Sequence, residues 1–296
     1  MDEARRIVNA GFVGAGIVRA DTQTAGRGRI AGRHWIDAPG RSLLITIILP
    51  EGSAAVQALP LRVGLGVARA LEAAEATETT HAGAPPKFWL KWPNDVVAVW
   101  RAPDRKATPG RAGTFNRAAA RERADTPGRA QAQSSYGKIC GILCETVGGR
   151  ALAGIGINVK RAALPIGLPM ELPAEHPMGL HAELFEGSPA TTAPFPPLSL
   201  EEALGELPLS WHDLESAART LASAVLESLD DRRWKGEYEA RLWGLGERLR
   251  FLAGHPEHPE IVEGICEGVG DDGSLILNIE GNRRAFASGE ISSRRG

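Results

Sequence analysis

Four short stretches of this chain combine residue types that can do chemistry. The first is Gln23-Thr24-Ala25-Gly26-Arg27-Gly28-Arg29, followed by Arg33, His34 and Trp35. Glycines leave backbone N–H groups exposed, and such concave nests bind anions. Arginines this dense add bidentate donors for phosphate. The stretch reads as a loop that grips a phosphate ester and orders around it. An RNA-contacting tract or a plain exposed turn has the same composition. The second stretch is Lys91-Trp92-Pro93-Asn94-Asp95. Proline fixes a turn, with Asn94 and Asp95 at its exit. A lysine and a carboxylate four positions apart suit a nucleotide–Mg²⁺ site, with Asp95 as a hard oxygen ligand. An ordinary hairpin turn carrying a surface ion pair shows the same spacing. In the third, Lys138 stands at the mouth of an apolar run that holds Cys140, Gly141 and Cys144. Such a lysine is commonly a snorkelling edge residue. The even spacing of Cys140 and Cys144 puts both on one side of a strand, as core packing rather than as nucleophiles. The fourth, Gly154-Ile155-Gly156-Ile157-Asn158, is a strand whose glycines allow close approach of a ligand or another backbone.

These residues need elements to position them. Ser42 to Leu49 is an apolar, β-branched run of strand length, expected to be buried on both faces. Ser53 is expected to cap a helix to about Ala76, with Val56, Leu59, Val63, Val67, Ala70 and Leu71 on one stripe, weakened by Pro60 and two glycines. Short strands are expected at Phe88 to Lys91 and Asp95 to Val99, flanking the Trp-Pro-Asn turn. Two more, Lys138 to Thr146 and Leu152 to Val159, are joined by a Gly148-Gly149 turn. Asp213 caps a helix to Leu229, and a second helix runs from about Arg232 to Trp243, ending at Gly244. From 248 to 292 the texture changes to short strands with turns at Asp272-Gly273 and Gly281-Asn282, a small β-barrel following an α/β region.

Composition narrows the function classes. The chain has 296 residues and a net charge of −2, enough length for a core without disulfide or metal staples. Three cysteines make no disulfide framework, and no Cys-x-x-Cys pair points to zinc. Residues 98–135 carry eight Lys and Arg against three Asp and Glu, which leaves the rest of the chain at −7 and argues against a dedicated nucleic-acid binder. That segment reads as a flexible insertion. Residues 161–199 hold eight of the twenty prolines and read as a long surface connection. No apolar run approaches the roughly 18 residues of a membrane span, and no leader is recognisable, so a cytoplasmic setting is expected.

The order Gly26-Arg27-Gly28-Arg29 to Trp35, Lys91 to Asp95, Gly137-Lys138 to Glu145, Gly154 to Val159 and a closing Gly289-Glu290-Ile291-Ser292 resembles the bacterial biotin–protein ligases, the biotin–[acetyl-CoA-carboxylase] ligases. The likeness covers nearly the whole chain apart from 98–135 and 161–199. It implies an α/β (α+β) fold. A mixed-sheet, biotin/lipoate-ligase-like catalytic domain would span 1–245, and a small C-terminal SH3-like β-barrel 246–296. It implies that biotin and ATP, with Mg²⁺, give biotinoyl-5′-AMP. Biotin then passes to a lysine of a biotin carboxyl carrier protein domain of acetyl-CoA carboxylase.

By the same resemblance, Gln23, Gly26, Arg27, Gly28, Arg29, Lys138 and Gly141 would contact biotin and the adenylate, with Lys138 and Arg29 catalytic. Arg29 matches the arginine whose loss lets the intermediate escape. Arg33, Trp35, Lys91, Asn94, Asp95 and Asn158 would line the nucleotide side, with Asp95 near the metal. The first residues, Met1 to Arg6, resemble the family's opening motif from its third position on. The Ser-Thr pair of that motif is absent, which implies either a start upstream or weaker biotin binding. No DNA-binding segment is expected, nor a membrane partner. Pairing of relatives through sheet edges leaves a homodimer open. The alternatives are a lipoate or octanoate transferase of the same wider fold, although its Arg-Arg…Gly-Gly-Gly loop is not seen, and a non-catalytic biotin- or nucleotide-binding protein.

Overall fold

The computed structural model describes residues 1–29, 35, 39–78, 87–101, 134–161, 197–254 and 260–291. The main sheet has six strands: β1 (Gly16–Ala20), β2 (Ser42–Ile48), β3 (Lys87–Lys91), β4 (Asp95–Arg101), β5 (Ser134–Val147) and β6 (Arg150–Asn158). Their spatial order is β1-β2-β6-β5-β4-β3. A mixed sheet was expected, yet every ladder between these strands is antiparallel. Tight turns join β3 to β4 and β5 to β6, and a short turn can join only antiparallel neighbours. Among the described residues parallel pairing is confined to isolated bridges, Leu90 with Leu242 and Lys138 with Pro197 in this sheet and Leu245 with Cys266 beyond it.

β2 is buried along its whole length, as its composition predicts. Leu43, Ile45 and Ile47 face the large core, together with helices α2 (Leu59–Glu78) and α4 (Leu214–Asp230). On the other face Ile48 packs with Ala4 and Val8 of α1 (Asp2–Asn9). The expected helix start at Ser53 is displaced. Ser53–Ala55 forms a 3-10 turn, and α2 begins at Leu59. Pro60 explains this, because a residue without an N–H is tolerated only in a helix's first turn. Asp213 does cap α4, accepting from the backbone N–H groups of Glu215 and Ser216. α3 (Leu200–Leu204) opens with a capping box between Ser199 and Glu202. The helix expected to Trp243 stops early, as α5 (Trp234–Glu239). Beyond it the chain turns to cover the β3 edge. Leu90 N–H donates to Arg241 O at 2.8 Å, and Trp243 N–H donates to Leu90 O at 2.9 Å.

The C-terminal strands are β7 (Arg248–Ala253), β8 (Glu260–Val269), β9 (Leu275–Ile279), β10 (Asn282–Phe286) and β11 (Gly289–Ile291). They form an antiparallel sheet in the order β10-β9-β8-β7-β11. This sheet shares one buried cluster with the main one. Trp92 joins the two: its ring lies 5.7 Å from that of Phe251, and its indole N–H donates to Gly273 O at 2.8 Å. The flanks of the expected insertion are strand. Ala98 pairs with Gly137 and Arg101 with Ser134, so β4 and β5 run on as one antiparallel ladder. Its remainder, 102–133, lies outside the described residues, as does 162–196 of the proline-rich connection. No described helix is long and apolar enough to cross a membrane.

The two glycines inside α2 have different causes. A Cβ on Gly66 would stand 2.6 Å from Val225 Cα and 2.8 Å from Ala224 O, so Gly66 lets α2 and α4 touch backbone to backbone. A Cβ on Gly64 would meet only ordinary contacts at 3.5 Å. In denaturant titrations, Gly66→Ala is expected to destabilise by about 1–3 kcal/mol through overpacking. Gly64→Ala is expected to be neutral or to gain up to about 1 kcal/mol through helix propensity. Equal effects of the two would contradict this packing.

Candidate functional site

Strand register lays out the floor of a cleft of about 400 Å³ on the sheet face opposite α2 and α4. One row runs Ala20, Leu44, Gly156, Gly141; the next runs Val18, Thr46, Gly154, Leu143. The alternation of Gly154-Ile155-Gly156-Ile157 now has a reason. Ile155 and Ile157 point into the core, and the glycines point into the cleft. A Cβ on Gly156 would come within 3.0 Å of Trp35 Cε2, and one on Gly141 within 3.0 Å of Trp35 Cζ3. The Trp35 ring therefore lies flat enough on these glycines that no side chain fits beneath it. Gly26 is required by the same residue: a Cβ there would meet Trp35 O at 2.4 Å, where Trp35 N–H donates back to Gly26 O at 3.2 Å.

Lys138 reaches this face through a register shift. Val96 pairs with Cys140, but Val97 pairs with Lys138, so Ile139 is an extra residue in β5. In an unbroken strand Lys138 would share the face of Cys140, which is fully buried. The bulge turns it to the cleft side with Gly141. Its Nζ lies 2.7 Å from Asp95 Oδ1 and 5.7 Å from the centre of the Trp35 ring. Asp95 Oδ1 accepts no well-aligned hydrogen bond, so the contact is an ion pair rather than a directed bond. Asn158 holds the same point from behind, its amide N–H groups donating to Lys138 O and Leu198 O at 3.3 Å each.

The glycine-rich loop is held from two sides. Arg27 pairs with Asp2 of α1, and Arg29 Nη2 donates to Gly289 O of β11 at 2.7 Å. Gln23, Arg27, Gly28, Arg29, Trp35, Asn94, Lys138 and Gly141 all line the cleft. Gly26 is buried just behind them. Lys91, Asp95 and Asn158 stand outside the lining, and Lys91 is 3% exposed. Arg33 lies outside the described residues. Thr24 and Thr46 also line the cleft, and the sequence reading passed over both. Thr46 could have been found from the strand register, since β-residues two apart share a face. Asn94 is tied to β5, its side-chain amide donating to Ile142 O and its backbone carbonyl accepting from Ile142 N–H, both at 2.9 Å.

A resident metal ion does not fit this arrangement. Both oxygens of Asp95 face ammonium groups, Lys138 at 2.7 Å and Lys91 at 3.7 Å. Among the described residues no three His, Cys, Asp or Glu gather as a cage. The site instead sets Lys138, Arg27 and Arg29 around a largely apolar floor in which three glycines alternate with Leu44, Val18 and Leu143, suited to an anion carrying an apolar body. Among the described residues no cysteine is an activated nucleophile. Burial pushes the Cys144 thiol up to about 12, the Cys266 thiol up to about 11 and the Cys140 thiol higher still. A raised thiol pKa leaves little thiolate at pH 8, and only the thiolate alkylates. Iodoacetamide at pH 8 should therefore leave all three cysteines unmodified in the folded chain and label all three in denaturant. Labelling of Cys140 in the folded state, read by mass spectrometry, would contradict its placement.

Comparison with known proteins agrees with the fold. Residues 12–161 match the Biotin/lipoate A/B protein ligase family, and residues 244–294 match the Biotin protein ligase C terminal domain. The chain is 26% identical over 293 residues to a biotin–[acetyl-CoA-carboxylase] ligase of Paracoccus denitrificans, covering 95% of this chain and 91% of that protein. It is 24% identical over 290 residues to one of Mycobacterium tuberculosis, covering 93% and 77%. The structure of a biotin protein ligase from Aquifex aeolicus in complex with biotin and ATP has the same fold, with a TM-score of 0.60 at 23% identity, over 99% of this chain and 94% of that one.

Proposed function

The chain belongs to the biotin/lipoate A/B protein ligase family, and from that premise we propose that it is an ATP-dependent biotin–protein ligase. It makes biotinoyl-5′-AMP from biotin and ATP, then passes biotin to a lysine of a biotin carboxyl carrier domain of acetyl-CoA carboxylase. The observation that carries this reading is Lys138, turned by the bulge to the rim of a cleft floored by Gly141, Gly154 and Gly156. The curated relatives named above bear that activity in their names.

The residues suit the two steps. A carboxylate and a triphosphate repel each other, so bringing them together needs positive charge. In the first step a biotin carboxylate oxygen attacks the α-phosphorus and pyrophosphate leaves. Lys138 neutralises charge building on the phosphoryl oxygens, and Arg29 does the same from the loop. Mg²⁺ enters with ATP as part of the substrate, while Asp95 acts as counter-ion to Lys138. The glycine floor and Trp35 exclude water from the mixed anhydride, which water would otherwise hydrolyse. In the second step the carrier lysine amine attacks the acyl carbon and AMP leaves. No enzyme nucleophile is needed. The division into a ligase domain (1–245) and a C-terminal domain (246–296) and a cytoplasmic location belong to the same proposal.

Exchange of labelled pyrophosphate into ATP tests the reading. It should require biotin. Equal stimulation by lipoate would favour the transferase alternative, and biotin binding without exchange the non-catalytic one. Lys138→Ala should lower exchange by about 10²- to 10³-fold, the cost of losing one preorganised donor at the reacting centre, with an unchanged far-ultraviolet spectrum. Arg29→Gly should release the adenylate and label bystander proteins. Near-normal exchange in the first variant, or labelling confined to the carrier in the second, would contradict these roles.

A further inference from the structure

A line of alternating charge leads from the cleft into the C-terminal sheet. Lys138 Nζ is 2.7 Å from Asp95 Oδ1, Asp95 Oδ2 is 3.7 Å from Lys91 Nζ, and Lys91 Nζ is 3.7 Å from Glu290 Oε1. Lys91 is the driest member of the line. The Lys138 side chain is 30% exposed, those of Asp95 and Glu290 13% and 14%, and that of Lys91 4%. We propose that Glu290 of β11 is a positioning residue for the adenylation step, acting on Lys138 through Lys91 and Asp95. The proposal rests on the ligase reading and deepens it.

The physics is a competition for one carboxylate. Asp95 is shared between two ammonium groups. A cation as buried as Lys91 requires nearby negative charge, because desolvation is costly and removing one partner of a buried pair leaves the other uncompensated. Glu290 supplies part of that charge, so Asp95 can stay close to Lys138. Without it, Lys91 would draw Asp95 inward and leave Lys138 less firmly placed at the cleft rim. The backbone fixes Glu290 tightly enough for this. At the preceding Gly289, φ is +143°, and a Cβ there would meet Leu252 O at 2.4 Å, so β11 is pressed against β7 at this point. The same glycine's carbonyl receives Arg29. β11 thus contacts the site twice, through a backbone carbonyl and through a carboxylate.

The test is biotin-dependent pyrophosphate exchange by the full chain, with thermal unfolding of each variant alongside. Glu290→Gln should lower kcat about tenfold, within the range for members of one charge network, and leave the KM for biotin nearly unchanged. Glu290→Asp keeps the charge and should retain most of the wild-type kcat. In a Lys91→Met background, adding Glu290→Gln should cause little further loss, because the path to Lys138 is already cut. Wild-type kcat in Glu290→Gln would overturn the proposal. So would equal losses in the Gln and Asp variants, which would mean that shape rather than charge matters, or a full repeat of the tenfold loss in the Lys91→Met background. If the wild-type chain shows no biotin-dependent exchange, the ligase reading fails and this proposal with it; wild-type exchange with any of the other results overturns the proposal alone.

Discussion

Everything at the site depends on one extra residue in a strand. Ile139 breaks the alternation of β5, so Cys140 and Ile142 stay in the core while Lys138 crosses to the cleft. Strand geometry allows no other cheap solution, because a one-residue shift is what moves a side chain from one face to the other. Once across, Lys138 needs an anion near it and a backbone that does not drift. Asp95 provides the first, and Asn158, bonded to the Lys138 carbonyl, the second. The bulge is therefore paired with two supports from neighbouring strands.

The second constraint is the pair of glycines in the floor. Gly141 and Gly156 are direct partners across β5 and β6, and together they leave a flat patch under Trp35. Any larger residue would lift that ring. The helices on the opposite face pack against these strands in a core that continues into the C-terminal sheet. Because Trp92 and the Lys91–Glu290 contact cross that junction, the C-terminal sheet bears directly on the site.

Much of this was legible in the sequence because it follows from local rules. The buried strand at 42–48, the Asp213 cap and the hairpin at Gly148-Gly149 are written in composition and spacing. The glycine loop and Lys138 were visible as chemistry, and the family resemblance ordered them. Other features depend on partners distant in the chain. Alternation places Lys138 with Cys140, and no signal in 138–144 announces the bulge. Lys91 reads as a nucleotide contact by its motif, yet it is buried between carboxylates 4 and 199 positions away in the chain. α5 ends early because its continuation is needed at the β3 edge, a demand made by tertiary pairing rather than by propensity. The antiparallel direction at β3–β4 and β5–β6 follows from the short turns between them, while the other three ladders of the sheet pair strands far apart in the chain.

The central claim is that Lys138, set by the bulge and by Asp95, meets the reacting carboxylate and phosphate above the glycine floor. A crystal structure of the chain with biotinoyl-5′-AMP bound tests it most directly. The account predicts the acyl-phosphate oxygens within about 3 Å of Lys138 Nζ, the ring system of biotin in the cleft beside Trp35, and Arg29 released from the Gly289 carbonyl toward the phosphate. An adenylate bound elsewhere, or bound in the cleft with Lys138 turned away from it, would contradict the account.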